Sequence, residues 1–231
     1  MKFLQFSGGK DSIACLLLLK NELHDITVLW LNTGAALPET LEQMEKVKEI
    51  CPNFIEVSSN QASQVEEFGY PVDMLPLRNM KEVQLFTGAK LKLQSFMNCC
   101  TTNIMRPLDD ATKKLGATTI IRGQKNCDEQ KGNLKNGDVV DGITYLFPVE
   151  TWTDAEVLAY VKPSGLLPKH YDTGNTSLDC WSCTAHLHEN AFKLPYLREN
   201  HPAKAVELEN RFSLIHQELT REMSYLEAAH G

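Results

Sequence analysis

The segment SGGKDS, at residues 7–12, restricts the fold of this chain more than any other feature of its sequence. A short apolar run, FLQF at residues 3–6, precedes it, and a longer apolar run at residues 13–19 follows it. The short run predicts a buried strand and the longer run predicts a helix, with the glycines in the turn between them. A strand, a tight glycine turn and a helix in this order are typical of nucleotide-binding α/β folds.

Phosphate binding is the chemistry that this turn predicts. Glycine lets the backbone approach a ligand closely, and free N–H groups at the start of a helix attract an anion. The lysine adds a point charge and the serines add hydroxyl donors. The turn is shorter than a Walker loop, and a helix cap without a ligand is the alternative interpretation. The candidate nucleotide-binding residues here are Ser7, Gly8, Gly9, Lys10 and Ser12.

Apolar strands alternate with helices beyond this turn. Continuous apolar runs predict strands at residues 26–31, 54–57 and 118–121, and helical periodicity predicts helices from Pro38 to Ile50 and over residues 106–115. This alternation predicts an α/β fold with a doubly wound, mainly parallel sheet. Ligands of such sheets bind at the carboxyl ends of the strands.

Several local patterns make sharper predictions. Asp141-Gly142 between two apolar runs predicts a hairpin, and Thr153 with Glu156 predicts a capping box. A first helix is expected over residues 11–24, whereas residues 58–96 predict only short helices and loops. The helix from Pro38 is expected to bury Leu41, Met44, Val47 and Ile50. A last helix from about Ala203 carries the apolar stripe Leu208, Phe212, Ile215, Leu219, Met223 and Leu226, which would pack on the body of the protein or on a dimer partner.

Length, charge and cysteine content limit the class of protein. A chain of 231 residues can bury a core as one domain. Its net charge of −7 does not favour broad nucleic-acid or anionic-membrane binding. The apolar run at residues 13–19 is too short to cross a bilayer, and no signal peptide precedes the first strand. Seven cysteines without a secretion signal indicate thiols or metal ligands, and we expect a cytoplasmic protein.

Two further loops follow predicted strands and are expected to meet the glycine turn around one ligand. The first contains Asn32-Thr33-Gly34 and leads to Thr40, where glycine can bring backbone against a nucleoside; a simple helix entry is the alternative. The second begins at Gly123 and is rich in Lys and Asn. Lys125 and Lys131 could hold phosphate or sulfate oxygens there, and a solvated charged loop is the alternative.

Four cysteines form a possible metal site. Cys180 and Cys183 have Cys-x-x-Cys spacing, and Cys99 and Cys100 are adjacent. Four thiolates can hold a [4Fe-4S] cluster or tetrahedral zinc, although adjacent cysteines need an irregular or helix-start backbone to converge. Unconnected thiols are the alternative interpretation. The other cysteines are expected to be core residues, at Cys15 and Cys51, or an incidental surface thiol, at Cys127.

Six segments together resemble the phosphoadenosine-phosphosulfate (PAPS) reductase family of the adenine nucleotide α-hydrolase (PP-loop) superfamily. The resemblance covers residues 2–184 and depends on the order and spacing of the segments, because each one alone is a weak signal. The segments are SGGKDS at Ser7, NTGAALPET at Asn32, CC at Cys99, GQKNCDEQK at Gly123, PVETWTDAEVLAY at Pro148 and HYDTGNTSLDCWSCT at His170.

The resemblance implies a parallel PP-loop fold that binds an adenine nucleotide. It implies a family domain at residues 1–184, followed by a helical extension at residues 185–231 that packs on it. In members with four such cysteines it also implies a [4Fe-4S] cluster, which is favoured over zinc. The implied cluster ligands are Cys99, Cys100, Cys180 and Cys183.

The sequence departs from the sulfonucleotide reductases of the family in two respects. Those reductases carry a nucleophilic cysteine in a C-terminal Glu-Cys-Gly-Leu-His tail, whereas no cysteine follows Cys183 here. Their phosphate loop is usually degenerate, whereas Lys10 and Asp11 resemble the loop of members that cleave ATP to AMP and pyrophosphate. Asn32 also replaces the more usual Asp of an Asp-Thr-Gly motif.

The leading hypothesis is an ATP pyrophosphatase that activates an acceptor in sulfur transfer and works with a sulfur donor. Lys10 and the serines would bind the β,γ-phosphates, Asp11 would help to hold Mg²⁺, and Lys125 would stabilise charge at the α-phosphate or sulfate. The runner-up is an APS or PAPS reductase that takes its thiol from Cys127 or from a thioredoxin-like partner. A non-enzymatic nucleotide or redox sensor is the third hypothesis.

Overall fold

The computed structural model divides the chain into two compact units, and each unit draws on two separate stretches of sequence. The described residues are 1–128, 131–174, 176–178 and 180–230. The first unit comprises Met1–Ser59 and Ile104–Asp179, and the second comprises Asn60–Asn103 and Cys180–Gly231. The division expected after Thr184 concerns the extent of the family domain and stays a prediction.

Among the described residues the strands form two sheets, one in each unit. In chain order the strands are β1 (Lys2–Phe6), β2 (Ile26–Asn32), β3 (Phe54–Ser58), β4 (Tyr70–Val72), β5 (Leu93–Ser95), β6 (Thr119–Ile121), β7 (Val139–Val140) and β8 (Ile143–Leu146). The α-helices are α1 (Lys10–Leu18), α2 (Pro38–Ile50), α3 (Gln61–Phe68), α4 (Lys81–Thr87), α5 (Phe96–Cys100), α6 (Arg106–Lys114), α7 (Asp154–Val161), α8 (Lys193–Asn200) and α9 (Pro202–His230).

The sheet of the first unit has the strand order β3-β2-β1-β6-β8-β7. Its neighbouring strands are parallel except in the hairpin formed by β7 and β8. From β1 the order runs through β2 and β3 on one side and through β6 and β8 on the other, so it reverses at β1. The predicted doubly wound, mainly parallel sheet is confirmed, and the glycine turn that follows β1 lies at the topological switch point.

The core of the first unit lies around strands β1 and β2. Leu4 of β1 pairs with Val28 on one side and with Ile121 on the other, and all three side chains are buried. Phe3, next to Leu4, faces the opposite side of the sheet and is also buried. Burial of both faces explains why these strands are continuous apolar runs without polar alternation. Each fully buried side chain of this size contributes roughly 1.5–3 kcal/mol to folding.

Two local predictions in this unit are confirmed. Asp141 and Gly142 both have positive φ, at 52° and 77°, as expected for the tight turn between β7 and β8. At the start of α7, the Thr153 hydroxyl accepts a hydrogen bond from Glu156 N at 3.3 Å, and the Glu156 carboxylate accepts one from Thr153 N at 2.7 Å. This reciprocal pair is the predicted capping box.

Two predictions about helices are wrong in detail. Helix α1 ends at Leu18 instead of reaching His24, because residues 19–24 form turns in which Glu22 N donates to Leu19 O. On α2, Met44 and Val47 are buried as expected, but Leu41 and Ile50 are exposed. The polar residues Thr40 and Gln43 are buried in their place.

The second unit contains a small parallel sheet that the sequence did not predict. Strands β4 and β5 pair over three residues each, from Tyr70 with Leu93 to Val72 with Ser95. Their buried residues Val72 and Leu93 pack with Ile215 of α9. Sequence reasoning missed these strands because each is only three residues long and β4 contains a proline. It also missed α8.

Helix α9 buries only the first part of its predicted apolar stripe. Leu208 and Ile215 are buried, whereas Met223 and Leu226, near its end, are exposed. The stripe therefore packs within the second unit along part of its length. No helix in the described ranges is both long enough and apolar enough to cross a membrane.

Candidate nucleotide-binding site and cysteine group

The glycine turn packs tightly against helix α2. Gly8 has a φ of 85°, and a Cβ atom there would lie 2.6 Å from Gln43 Oε1 and 2.7 Å from Met44 Cε. Gln43 is buried and donates through Nε2 to Gly8 O at 2.9 Å and to Leu166 O at 2.8 Å. The positive φ therefore favours glycine at position 8, and a Cβ atom there would also displace the ends of the Gln43 and Met44 side chains.

The N–H groups of the turn already have acceptors within the protein. Gly8 N donates to the Ser12 hydroxyl and Gly9 N donates to the Ser7 hydroxyl, both at 3.2 Å. Lys10 N, at the start of α1, donates to the Tyr171 hydroxyl at 3.0 Å. An anion bound at these three N–H groups would replace internal acceptors. Sequence reasoning missed Tyr171, which lies 161 residues from Lys10.

Lys10 and Lys125 lie in one group with three aspartates. Lys10 Nζ is 2.8 Å from both Asp11 Oδ2 and Asp154 Oδ1. Lys125 Nζ is 2.8 Å from Asp11 Oδ1, 2.7 Å from Asp128 Oδ1 and 3.3 Å from Asp154 Oδ1. The structure thus brings together the predicted catalytic residues Lys10, Asp11 and Lys125. It adds Asp128 and Asp154, whose roles the sequence did not reveal.

Charge pairing controls the ionisation of this group. The Lys125 side chain is only 1% exposed. Burial alone would lower its pKa, but hydrogen bonds to Asp11 and Asp128 outweigh burial and raise the pKa above its ordinary value. Burial would raise the pKa of Asp154, but the ammonium groups of Lys10 and Lys125 outweigh it and hold that pKa below its usual range. The pairing therefore keeps both partners charged.

The loop that follows β6 approaches the start of α1 at Gly123. A Cβ atom at this position would lie 2.6 Å from the Asp11 carbonyl carbon, so glycine allows this contact between backbones. Within the same loop, Lys131 is exposed and donates to Asn126 O at 2.7 Å. The structure therefore brings Gly123 to the lysine–aspartate group but pairs Lys131 with its own loop. Residues 129 and 130 of the GQKNCDEQK segment lie outside the described residues.

The loop that follows β2 forms one wall of a cavity. Asn32 Oδ1 accepts a hydrogen bond from Gly34 N at 2.9 Å, and Asn32 Nδ2 donates to Glu56 at 2.9 Å. Gly34 has a φ of 79°, which suits this turn. Thr33 and Thr40 are buried and line the cavity, whereas Asn32 and Gly34 shape the turn.

The cavity has a volume of about 220 Å³ and lies at the carboxyl end of β1. Ser7 of the glycine turn lines it, as do the apolar side chains of Trp30, Ile104 and Leu108. An apolar space beside a phosphate-type loop suits the flat base of a nucleoside. The other lining residues are Gln5, Phe6, Leu31, Thr33, Ala36, Thr40 and Arg122.

Arg122 is a charged residue of this cavity that sequence reasoning left without a role. Its Nε atom donates to Gln5 Oε1 at 2.6 Å, and its guanidinium lies 5.7 Å from the centre of the Tyr145 ring. Burial lowers the pKa of Arg122 from its ordinary value. Its position directly after an apolar strand was the signal that could have identified it.

The four candidate cluster ligands all belong to the second unit. Cys99 and Cys100 end the short helix α5, and a π-helical turn, Thr101–Met105, follows directly. The irregular backbone therefore begins directly after the pair, whereas Cys99 and Cys100 themselves have α-helical backbone. Cys180 and Cys183 lie in a turn in which Cys183 N donates to Cys180 O at 3.1 Å.

The thiol groups fit a metal cluster in their chemistry but do not form a closed metal site. Burial, with a further contribution from Cys183, raises the pKa of Cys99 to about 11, and Asn103 Nδ2 lies 3.6 Å from its sulfur. Cys100 Sγ lies 4.0 Å from His186 Nε2. Among the described residues, no three His, Cys, Asp or Glu side chains are grouped closely enough to hold a metal ion.

The remaining cysteines have the surroundings that the sequence predicts. Cys15 and Cys51 are buried, and burial raises their pKa values to about 12 and about 11. Cys127 is exposed, with its thiol 3.6 Å from Trp152 O. The first two are therefore core residues, as predicted, and the third is accessible to reagents.

The fold and the site define an α/β protein with a phosphate-type glycine loop at the switch point of a doubly wound sheet. A family model for the phosphoadenosine phosphosulfate reductase domain matches residues 2–186. The chain belongs to this family, which confirms the family resemblance of its sequence motifs.

Curated relatives are similar over most of this chain. An uncharacterized protein of Methanocaldococcus jannaschii is 20% identical over 94% of this chain and 49% of its own length. An adenosine 5'-phosphosulfate reductase of Mycolicibacterium smegmatis is 25% identical over 69% of this chain and 62% of its own. This chain therefore spans less than two thirds of either relative.

The comparison with solved structures found one that is partly similar to this chain. It is a phosphoadenylyl-sulfate reductase from Candida auris in complex with phosphate, which is 14% identical. The similarity covers 74% of this chain and 75% of that chain, with a TM-score of 0.49.

Proposed function

We propose that this protein is an adenine-nucleotide enzyme that cleaves ATP to AMP and pyrophosphate and thereby activates an acceptor in sulfur metabolism. The observation that carries the proposal is the contact of Asp11 with both Lys10 and Lys125 beside the glycine turn. The cavity next to Ser7 would hold the nucleoside, so the phosphates would extend from it toward this charged group. Ser7, Gly8, Gly9 and Ser12 would line the phosphate path.

The balance of charges favours a polyphosphate over a sulfonucleotide. Three aspartate carboxylates surround the two lysines. The excess negative charge of these carboxylates would repel a bare anion but suits a nucleotide that carries a divalent cation. Mg²⁺ prefers oxygen ligands and uses one or two carboxylates together with phosphate oxygens. Asp11 fits this role by its chemistry. Bound there, Mg²⁺ would offset the charge that builds on the leaving pyrophosphate.

The lysines would act at different points of the substrate. A nucleophilic atom of the acceptor would bond to the α-phosphorus, and pyrophosphate would leave with the electron pair of the broken P–O bond. Lys10 would bind the β,γ-phosphates and stabilise this leaving group. Lys125 would neutralise the charge on the α-phosphate oxygens, a contribution that is typically worth on the order of 10²–10³ in rate.

A [4Fe-4S] cluster on Cys99, Cys100, Cys180 and Cys183 is part of the proposal, with zinc as the alternative metal. The donor set of four thiols and the π-helical turn after Cys100 support it. When bound, the cluster would supply a redox-active or structural centre in the second unit. Iron and acid-labile sulfide in anaerobically purified protein, both lost when the four cysteines are changed to serine, would support it. Colourless protein loaded with zinc would contradict it.

The test of the reaction is product analysis with α-labelled ATP, Mg²⁺ and candidate sulfur-pathway acceptors. The proposal expects labelled AMP or an adenylylated acceptor, together with pyrophosphate, and a large loss of product with Lys125→Met. Lys135→Met is the matched control, because that lysine is exposed and lies in the same loop, outside the lysine–aspartate group. Absence of AMP and of adenylylated acceptor under all these conditions would contradict the proposal.

Sulfonucleotide reduction is the second candidate, supported by the family and by its APS reductase relatives. Cys127 is exposed and belongs to the same loop as Lys125, so its thiol is a candidate nucleophile. Sulfite release from APS or PAPS in the presence of thioredoxin, abolished by Cys127→Ser, would establish this activity. Tight nucleotide binding without turnover of either substrate would instead indicate a sensor.

A further inference from the structure

Asp154 contacts both lysines of the candidate site through the same atom. Its Oδ1 atom is 2.8 Å from Lys10 Nζ and 3.3 Å from Lys125 Nζ. Two ammonium groups that point at one carboxylate oxygen can point equally well at one phosphate oxygen, since both acceptors are anionic and similar in size. The carboxylate thus occupies a position that suits a phosphate.

The surroundings of Asp154 make it the most readily displaced carboxylate of the group. Its side chain is 56% exposed, against 25% for Asp11 and 34% for Asp128. Asp128 also accepts a hydrogen bond from Lys125 N at 2.7 Å, which ties it to its own loop. The capping box at the start of α7 is made by Thr153 and Glu156, so α7 does not depend on the Asp154 side chain for this cap.

We infer that Asp154 is an internal competitor for the phosphate site, which a phosphate of the nucleotide displaces from Lys10 and Lys125. This inference rests on the proposed function and adds that the Asp154 carboxylate weakens the binding of substrate. Without the Asp154 charge, Lys10 keeps Asp11, and Lys125 keeps Asp11 and Asp128, so neither lysine loses all its partners. Substrate would then bind without having to break two ion pairs.

Asp154→Asn is therefore expected to tighten binding of anionic ligands. The exposed position limits the strength of the ion pairs that are broken, so the expected decrease in Kd is about three- to ten-fold. The probes are inorganic pyrophosphate and ATP, each with Mg²⁺, titrated calorimetrically at constant ionic strength. Asp25→Asn is the matched control, because it removes the same charge at an exposed carboxylate that contacts His24 instead of the two lysines.

The outcomes separate this inference from the proposed function. Tighter binding by Asp154→Asn, with no change for Asp25→Asn, supports it. An affinity of Asp154→Asn that equals that of the wild type, or is weaker, overturns the inference alone. Weaker binding would show that the carboxylate positions the lysines. A wild-type protein that binds neither pyrophosphate nor ATP contradicts the inference and the proposed function together.

Discussion

Lys125 Nζ lies 2.8 Å from Asp11 Oδ1, although the two residues are 114 positions apart in the sequence. The contact joins the loop after β6 to the first turn of α1, on neighbouring parallel strands of the sheet. Gly123 permits this approach because its missing side chain leaves room for the Asp11 backbone. The doubly wound topology therefore assembles one charged site from two distant motifs.

Replacing Lys125 by methionine should destabilise the protein as well as inactivate it. The substitution would leave Asp11, Asp128 and Asp154 without the buried ammonium group that they share. Loss of one partner from a buried ion pair costs about 3–5 kcal/mol, and the partial exposure of the aspartates places this case near the lower value. Urea unfolding of Lys125→Met, with Lys131→Met as control, measures the effect. A variant as stable as the wild type would show that the group contributes nothing to folding.

Three glycines should respond differently to substitution by alanine. Gly8 and Gly123 lack space for a Cβ atom, which would lie 2.6 Å from its nearest neighbour in each case. Gly34 has a positive φ but open space around it. We expect Gly34→Ala to cost about 1 kcal/mol from its backbone conformation, and the other two variants to cost about 2–3 kcal/mol.

Chemical denaturation of the three variants measures how much free energy of unfolding each one loses. Equal losses for all three would contradict the packing of the glycine turn against α2 and of Gly123 against Asp11.

The sheet and the three loops around the site could be predicted because each depends on local pattern. Continuous apolar runs identified β1, β2 and β3, and SGGKDS identified the turn between β1 and α1. The capping box at Thr153 was likewise visible, since it depends on residues three positions apart. Chain topology then dictates that loops at the carboxyl ends of parallel strands converge.

The partners of the site residues could not be predicted in the same way. The sequence predicted Asp154 as the first residue of a capped helix, and nothing in its local pattern indicated contact with Lys10 and Lys125. Tyr171 contacts the glycine turn from a short 3₁₀ segment without an apolar period. On α2, the apolar period predicted that Ile50 is buried, but Ile50 is exposed. Gln43 is buried instead, because its amide donates a hydrogen bond to Gly8 of the glycine turn. Such contacts depend on the assembled fold.

Removal of the Tyr171 hydroxyl should destabilise the protein, and a bound anion should restore part of the lost stability. Tyr171→Phe would leave Lys10 N, a buried donor, without its acceptor at 3.0 Å, which typically costs about 1–3 kcal/mol. A phosphate group at the turn would supply a new acceptor. Pyrophosphate should therefore raise the melting temperature of this variant more than that of the wild type.

The matched control for this experiment is Tyr160→Phe, because Tyr160 is an exposed tyrosine of α7. Thermal unfolding with and without pyrophosphate measures both variants. An identical response of Tyr171→Phe and wild type to pyrophosphate would contradict the assignment of the turn as an anion site.

His170 should make the protein less stable in mild acid. It is buried, and burial lowers its pKa to about 4, with Glu39 partly opposing the shift. Between this value and the unfolded pKa of about 6.5, the unfolded chain binds a proton that the folded chain does not. Stability therefore falls as pH falls through this window, by about 3 kcal/mol in total.

Urea unfolding at about pH 7.5 and about pH 5 tests this dependence. His170→Gln should lose most of the difference between the two conditions, since glutamine does not titrate. His24→Gln is the control, because His24 is exposed and should leave the difference intact. If His170→Gln keeps the wild-type pH dependence, other groups titrate in this window and the buried imidazole is not the cause. Comparison of the two variants separates the contribution of His170 to the pH dependence of stability from that of carboxylates that titrate in the same pH range.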